Sequence, residues 1–372
     1  MKKGIIRNIY PGGNTSKGFY SFYSYVARED ANKIFYVKGG PGVGKSTFIK
    51  GIGMDLVDRG LDVEFLYCSS DNDSLDGVYV PDMDAGVIDG TAPHMIDPKN
   101  PGAVDEIINL GEFWDEGLLR ENRQDIIRLN REIGRLFRRV YSHLKGAKLF
   151  LDELENCILD AGALDIKGLN RKAVELIDRI FDNETLKNKD GSGRCKIKTT
   201  RHLFATAITP QGPSSFLKNL FEPVKKRIII KGHPGSGKNT ILQKIAGAAV
   251  SLGLKADIFH CSLDPDKVEH IIIPEIDTGV ITSAPPHEYA SGEWDIVVNT
   301  DEFVDFDHLK PYQSEMEKAQ KRYSEIFSDA VAFLAKAKEL HDELEKYYVS
   351  SMDFKKVEVK REEVVERILK LK

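Results

Sequence analysis

The sequence has little that would hold a metal or a disulfide framework: its four cysteines, Cys68, Cys157, Cys195 and Cys261, show no C-x-x-C spacing. That pattern gives no zinc site and no staple, and a reduced, cytoplasmic protein is expected. No apolar run approaches the ~20 residues that a membrane span needs. The opening stretch, MKKGIIRNIYPGG, carries no apolar signal-peptide core. Basic charge is not in excess either. The net charge is −5 with 30% charged residues in 372, which favours solubility and speaks against a protein built to coat nucleic acid. Helicase-like motifs and the guanine-specific N-K-x-D motif do not occur. Proline is absent between Pro101 and Pro210, which suits a long uninterrupted helix in that region.

What the sequence does contain, it contains twice. FYVKGGPGVGKSTFIK (35–50) and IIIKGHPGSGKNTILQK (228–244) are glycine-rich loops, with Gly39 and Gly232 offset by 193 residues. At that offset Asp71 and Asp73 match Asp264 and Asp266, and Asp84 and Gly86-Val87-Ile88 match Asp277 and Gly279-Val280-Ile281. After a three-residue gap Asn109, Glu112 and Asp115 match Asn299, Glu302 and Asp305, and Asp152-Glu153-Leu154-Glu155 match Asp342-Glu343-Leu344-Glu345. Ahead of the loops, Arg7, Thr15 and Gly18 answer Arg201, Thr209 and Gly212. The chain reads as a tandem duplication with halves 1–190 and 191–372, joined through the polar stretch at 182–196. The segment at 201–212 reads as strand plus turn and fits either half.

In each half an apolar strand enters the loop and an amphipathic helix leaves it. Further short strands follow, and then a long helical segment. This alternation predicts an α/β fold: two tandem domains, each a mainly parallel sheet flanked by helices.

The pattern G-x-x-x-x-G-K-[ST] lets successive backbone N–H groups point at a phosphate, with the positive end of the next helix behind them. The lysine neutralises phosphate charge and the hydroxyl serves Mg²⁺. The first half resembles the P-loop NTPase superfamily at Gly39, Gly44, Lys45 and Ser46. The whole chain resembles bacterial tandem P-loop proteins described only as ATPases. The resemblance implies ATP, favoured over GTP, and Mg²⁺. The expected nucleotide contacts are Gly39, Gly40, Pro41, Gly42, Val43, Gly44, Lys45, Ser46 and Thr47. In the second half they are Gly232, His233, Pro234, Gly235, Ser236, Gly237, Lys238, Asn239 and Thr240.

Such a site also wants a carboxylate at a strand end. Asp89, closing the run AGVIDG, competes with Asp152 in AKLFLDELE. The second half reads AKELHDELE at the latter position, whose charges suit a helix surface, so Asp89 is preferred. Its counterpart is Thr282, and the counterpart of Ser46 is Asn239. Two magnesium ligands, Ser46 and Asp89, are thus both replaced in the second half, which is expected to bind nucleotide with little or no turnover.

Other shared residues have two readings. Asp71 could orient an acceptor hydroxyl, and Asp73 could cap a helix starting near Ser74. Glu112 could position water or begin a helix. His94 and His287 follow prolines near the proposed strand end and read as structural. In the first half's long helix Arg120, Arg123, Arg128, Arg131, Arg135, Arg138 and Arg139 fall on one face, opposite Leu118, Ile126, Leu129, Ile133, Leu136, Val140 and Leu144. That face is either solvated, with acidic partners, or a surface for an anionic partner. Three functions stay open: an ATPase acting mainly at the first loop, with Lys45, Asp71 and Glu112 as catalytic candidates; a small-molecule or nucleoside kinase; or a non-catalytic nucleotide-dependent scaffold or nucleic-acid binder.

Overall fold

The computed structural model of the chain describes residues 2–91, 96–182 and 199–371. His94 and all but the first residue of the proposed joint at 182–196 lie outside the described residues.

Two six-stranded mixed sheets, flanked by helices, repeat one topology, and each half adds a two-stranded antiparallel ribbon, β2 (Gly12–Thr15) with β3 (Gly18–Ser21) and β10 (Thr206–Thr209) with β11 (Gly212–Ser215). In the first half the strands are β1 (Ile6–Ile9), β4 (Lys33–Lys38), β5 (Val63–Tyr67), β6 (Leu75–Val80), β7 (Ala85–Asp89) and β8 (Asp105–Asn109). Their spatial order is β1-β5-β6-β7-β4-β8. Only β6 runs against its neighbours β5 and β7; the pairs β1/β5, β4/β7 and β4/β8 are parallel. The β6–β7 turn needs a left-handed residue, and Asp84 supplies it at φ 47°, as Asp277 does at φ 48° in the second half. The second sheet comprises β9 (Arg201–Leu203), β12 (Lys226–Lys231), β13 (Asp257–His260), β14 (Val268–Ile273), β15 (Thr278–Thr282) and β16 (Ile296–Asn299) in the matching order. The strand at 201–203 therefore belongs to the second sheet, beside β13.

Alternation along the strands gives each sheet two apolar faces. Phe35 and Val37 of β4 join a core with Phe48, Ile49 and Ile52 of helix α1 (Lys45–Asp58). Ile34 and Tyr36, pointing the other way, meet Ile229 and Ile281 of the second sheet in a shared core. The seam also carries four charges. Arg201 binds Glu64 at 2.7 Å and Asp257 at 2.7 Å, while Arg7 binds the same two acids at 2.6 and 2.9 Å. Each half supplies one arginine and one acid. Burial works to raise both carboxyls, but Arg201 together with Arg7 outweighs it and holds Glu64 and Asp257 below the ordinary carboxylate range.

The helices do not stay with their own sheet. After the short helix α2 (Glu116–Glu121), α3 (Arg123–Asp160) runs 38 residues, about 57 Å at 1.5 Å per residue. It lies antiparallel to α7 (Gln313–Val349): Arg128 approaches Glu343, Gly146 faces Ile326, and Arg322 stands over the Phe150 ring. At its far end α4 (Ile166–Ile180) buries Leu169, Ala173, Leu176 and Ile180 in the second half's core. There they pack with helix α6 (Lys238–Ser251), which follows the short α5 (Leu217–Phe221) and β12 in the chain. Reciprocally, α8 (Phe354–Leu369) places Val357, Val364, Val365 and Ile368 in the first half's core. The capping aspartates dock in the same way. The Asp165 N–H donates to the Phe303 carbonyl at 2.8 Å, and the Asp353 N–H donates to the Phe113 carbonyl at 2.9 Å. Each packed body thus takes its last helix from the other repeat. A fully buried Leu or Ile contributes about 1.5–3 kcal/mol, so these side chains bind the halves together strongly.

The helical segment is broken where the sequence suggested continuity. A cap at Asn122 separates α2 from α3, and a turn with Gly162 at φ 59° precedes α4. Leu118 is consequently 41% exposed rather than in the buried stripe, and Arg120 sits on α2, apart from the arginines of α3. Leu129, Leu136, Val140 and Leu144 are buried as expected. No described helix is long and apolar enough to cross a membrane.

Candidate functional site

The two glycine-rich loops connect β4 to α1 and β12 to α6, at the carboxyl ends of strands one in from the sheet edge. Gly42 and Gly44 stand at φ 69° and 86°, and Gly235 and Gly237 at 79° and 91°, a left-handed geometry that favours glycine. Lys45 folds back so that its Nζ donates to the Gly40 and Gly39 carbonyls at 2.8 and 3.2 Å. Lys238 does the same to Gly232 and His233 at 2.7 and 2.6 Å. Burial pushes the Lys238 ammonium down to about 8, against the pull of Asp301, Glu269 and Glu155.

Asp89 closes β7 directly beside β4, paired with Val37, and its Oδ2 lies 3.7 Å from Lys45 Nζ. Asp152 lies on α3, where it binds Lys148 at 2.5 Å, so the FLDELE stretch is a helix surface. Thr282, at the position of Asp89, is 8% exposed and its hydroxyl has no hydrogen-bond partner among the described residues. Its N–H donates to Nδ1 of His270, a histidine pushed down to about 3 by burial and hence uncharged. The first half has Gly77 there, where an added Cβ would come within 2.7 Å of Leu66. A carboxylate in one half is therefore replaced by two neutral groups in the other.

Asn239 repeats a local job of Ser46. The Ser46 hydroxyl accepts from the Leu75 N–H at 2.9 Å, and the Asn239 carbonyl accepts from the Val268 N–H at 2.9 Å. Each thereby fixes the start of the antiparallel strand. A hydroxyl or amide oxygen has a second lone pair, so this bond leaves acceptor capacity at both positions.

The remaining candidates distribute as follows. Asp71 follows β5 and pairs with Lys338 of α7 at 3.3 Å; Asp264 pairs with Lys148 of α3 at the same distance. No helix starts near Ser74, because β6 begins at Leu75, so Asp73 is not a helix cap. Glu112 is exposed on the 3₁₀ turn Leu110–Phe113, which runs past Gly39. The arginines of α3 are exposed, with Arg128 bound to Asp125 at 3.2 Å and Arg135 to Glu132 at 2.8 Å.

Sequence reading missed what covers the loops. Glu345, near the end of α7, accepts from the Gly42 N–H at 3.2 Å, and its carbonyl lies 2.6 Å from where a Gly42 Cβ would stand. Tyr348 lies against Gly40 and Phe354 against Gly44. On the second loop Glu155 and Ile158 crowd Gly235, and Leu169 crowds Gly237. Here the acid is engaged elsewhere, since Lys267 binds Glu155 at 2.5 Å. The second loop is instead held by its own half. The His233 N–H donates to Asp301 at 2.8 Å, and Ser236 bonds to Thr300 at 2.6 Å. The shared DELE sequence was the signal: its repetition marks a common role, though not that the role is played on the opposite half. No family model, curated protein or solved structure matches the chain.

Proposed function

We propose that the chain binds ATP with Mg²⁺ and hydrolyses it mainly at the first loop, while the second loop holds nucleotide with little or no turnover. One observation carries this reading: at matched positions the first half has the Asp89 carboxylate 3.7 Å from Lys45, and the second has the neutral Thr282 and His270. Left-handed glycines ahead of a helix N-terminus form the kind of concavity in which backbone N–H groups hold phosphate. Ser46 and Asp89 are hard oxygen donors of the type magnesium prefers. When bound, the cation supplies charge neutralisation at the phosphates. Lys45 adds a second cation once it exchanges the loop carbonyls for phosphate oxygens. Glu345 occupies a loop donor that phosphate would take, so nucleotide at the first loop competes with the arm of the second half. That competition links nucleotide state to the fit between halves.

The deciding experiment follows labelled ATP with water and with a panel of small hydroxyl acceptors. Release of free phosphate alone supports the hydrolase. A labelled organic product would replace it with the kinase reading, in which Asp71 would have to leave Lys338 to orient an acceptor.

A further inference from the structure

A cavity of about 610 Å³ opens beside the second loop. Its walls are apolar: Leu154 and Ile158 from the end of α3, Val304 and Phe306 after the 3₁₀ turn that follows β16, and Met316 from α7. Two residues of the loop itself, His233 and Pro234, complete it. Lys310, Lys321 and Glu317 are the charged side chains on its lining.

The first half carries larger side chains at the matching positions. The counterparts of Val304 and Ile158 are Trp114 and Tyr348. Those rings meet tilted at 57° with their centroids 5.9 Å apart, and Tyr348 rests on Gly40, the counterpart of His233. Two partly buried aromatic side chains stand at the first position, and two aliphatic ones line the cavity at the second. An aromatic-sized hollow walled by apolar groups is costly in water unless something apolar enters it. The loop residues His233 and Pro234 in its wall join that hollow to the concavity before α6. At the end of β15, beside the strand that enters the loop, the buried Thr282 hydroxyl has no hydrogen-bond partner among the described residues, and Lys238 offers a cation.

We infer that this cavity takes the aromatic body of an organic phosphate whose phosphate end sits on the second loop. The inference rests on the phosphate-binding reading of that loop and adds a body-recognition site to it. The second half is then a specific ligand sensor, with recognition built into the space that the first half gives to packing. The arm residues Leu154 and Ile158 come from the first half, so an occupant would touch both repeats. His233 also contributes a ring edge, placed 5.8 Å from Phe306, for contact with an aromatic ligand.

The test uses the full chain with Lys45→Ala, which quiets the first loop, and two probes: ATP and inorganic tripolyphosphate. Calorimetry measures both on the parent and on Val304→Trp/Ile158→Tyr, which rebuilds the first half's aromatic pair. A second filler, Gln320→Trp, enters from an exposed position on the α7 wall and disturbs no core. Either filler should weaken ATP at least tenfold and leave tripolyphosphate within twofold. If both fillers leave ATP binding unchanged while tripolyphosphate still binds and is lost in Lys238→Ala, the cavity inference is wrong and the loop reading survives. If the parent binds neither probe, or binding persists in Lys238→Ala, both fall together. Equal weakening of the two probes by Gln320→Trp would likewise overturn the inference, because the cavity would then not discriminate the aromatic body.

Discussion

The first and second loops share a backbone and differ in what touches them. The first is met by the Glu345 carboxylate and aromatic rings from the opposite half, with Asp89 beside its lysine. The second is met by aliphatic side chains, its arm acid is drawn off by Lys267, and it is tied to Asp301 and Thr300 of its own half. Both places keep the same left-handed glycines, and the groups around them differ. The difference teaches that loop conformation and loop chemistry are set by different parts of the sequence. Conformation comes from local glycines, and chemistry from a strand end and an arm far along the chain.

The sharpest way to break the comparison is at the two lysines. Lys45→Ala should lower ATP turnover about 100-fold or more, on the scale of losing one electrostatic group at a reacting phosphate. Lys238→Ala should leave it within about twofold under the same reading. Steady-state phosphate release decides it, and a larger loss at Lys238 would reverse the assignment.

Stability offers a second contrast. Arg201 is the more deeply buried arginine of the seam, with 4% of its side chain exposed against 16% for Arg7. Arg201→Ala should cost about 3–5 kcal/mol, because it leaves Glu64 and Asp257 in the interior with the less buried Arg7 alone; Arg7→Ala should cost less. Denaturant melts of both variants would show it, and equal losses would mean that the two arginines act as one unit. Both acids have folded pKa values below their unfolded ones. Their contribution is therefore present above about pH 4 and is lost as pH falls through the depressed values.

At the strand ends, Asp89→Asn should reduce magnesium-dependent turnover about tenfold, and Asp152→Asn should change it little. The opposite ranking, read from rates over a magnesium titration, would mean that the helix-borne acid serves the site.

The smallest expected effect is a pH dependence confined to the second loop. With the free Lys238 titrating near 8, its charge is present below that pH and lost above it. Tripolyphosphate binding in the Lys45→Ala chain should weaken as pH rises through about 8, approaching about tenfold per unit. Binding near pH 8 should also take up a proton. Calorimetry in two buffers of different ionisation enthalpy reads that uptake, and a flat profile from pH 7 to about 9 would contradict it.

The sequence by itself determined the repeat, the strand–loop–helix order and the place of Asp89 at a strand end, because these depend on local periodicity and glycine chemistry. It also determined that residues 149–155 are helical, since the charged partner AKELHDELE cannot form a buried strand. The reciprocal exchange of α4 and α8 was decided only by the tertiary structure. Apolar attraction is non-directional, and the stripe Leu169, Ala173, Leu176 and Ile180 states that a helix must be covered without naming the sheet that covers it. Two bodies of matching topology make that choice degenerate at the level of pattern. The 38-residue rise of α3 resolves it by carrying the chain away from its own sheet and delivering α4 to the other. Asn239 follows the same logic. Its departure from the loop pattern is legible in the sequence, but its bond to the Val268 N–H exists only once the antiparallel strand is folded beside it.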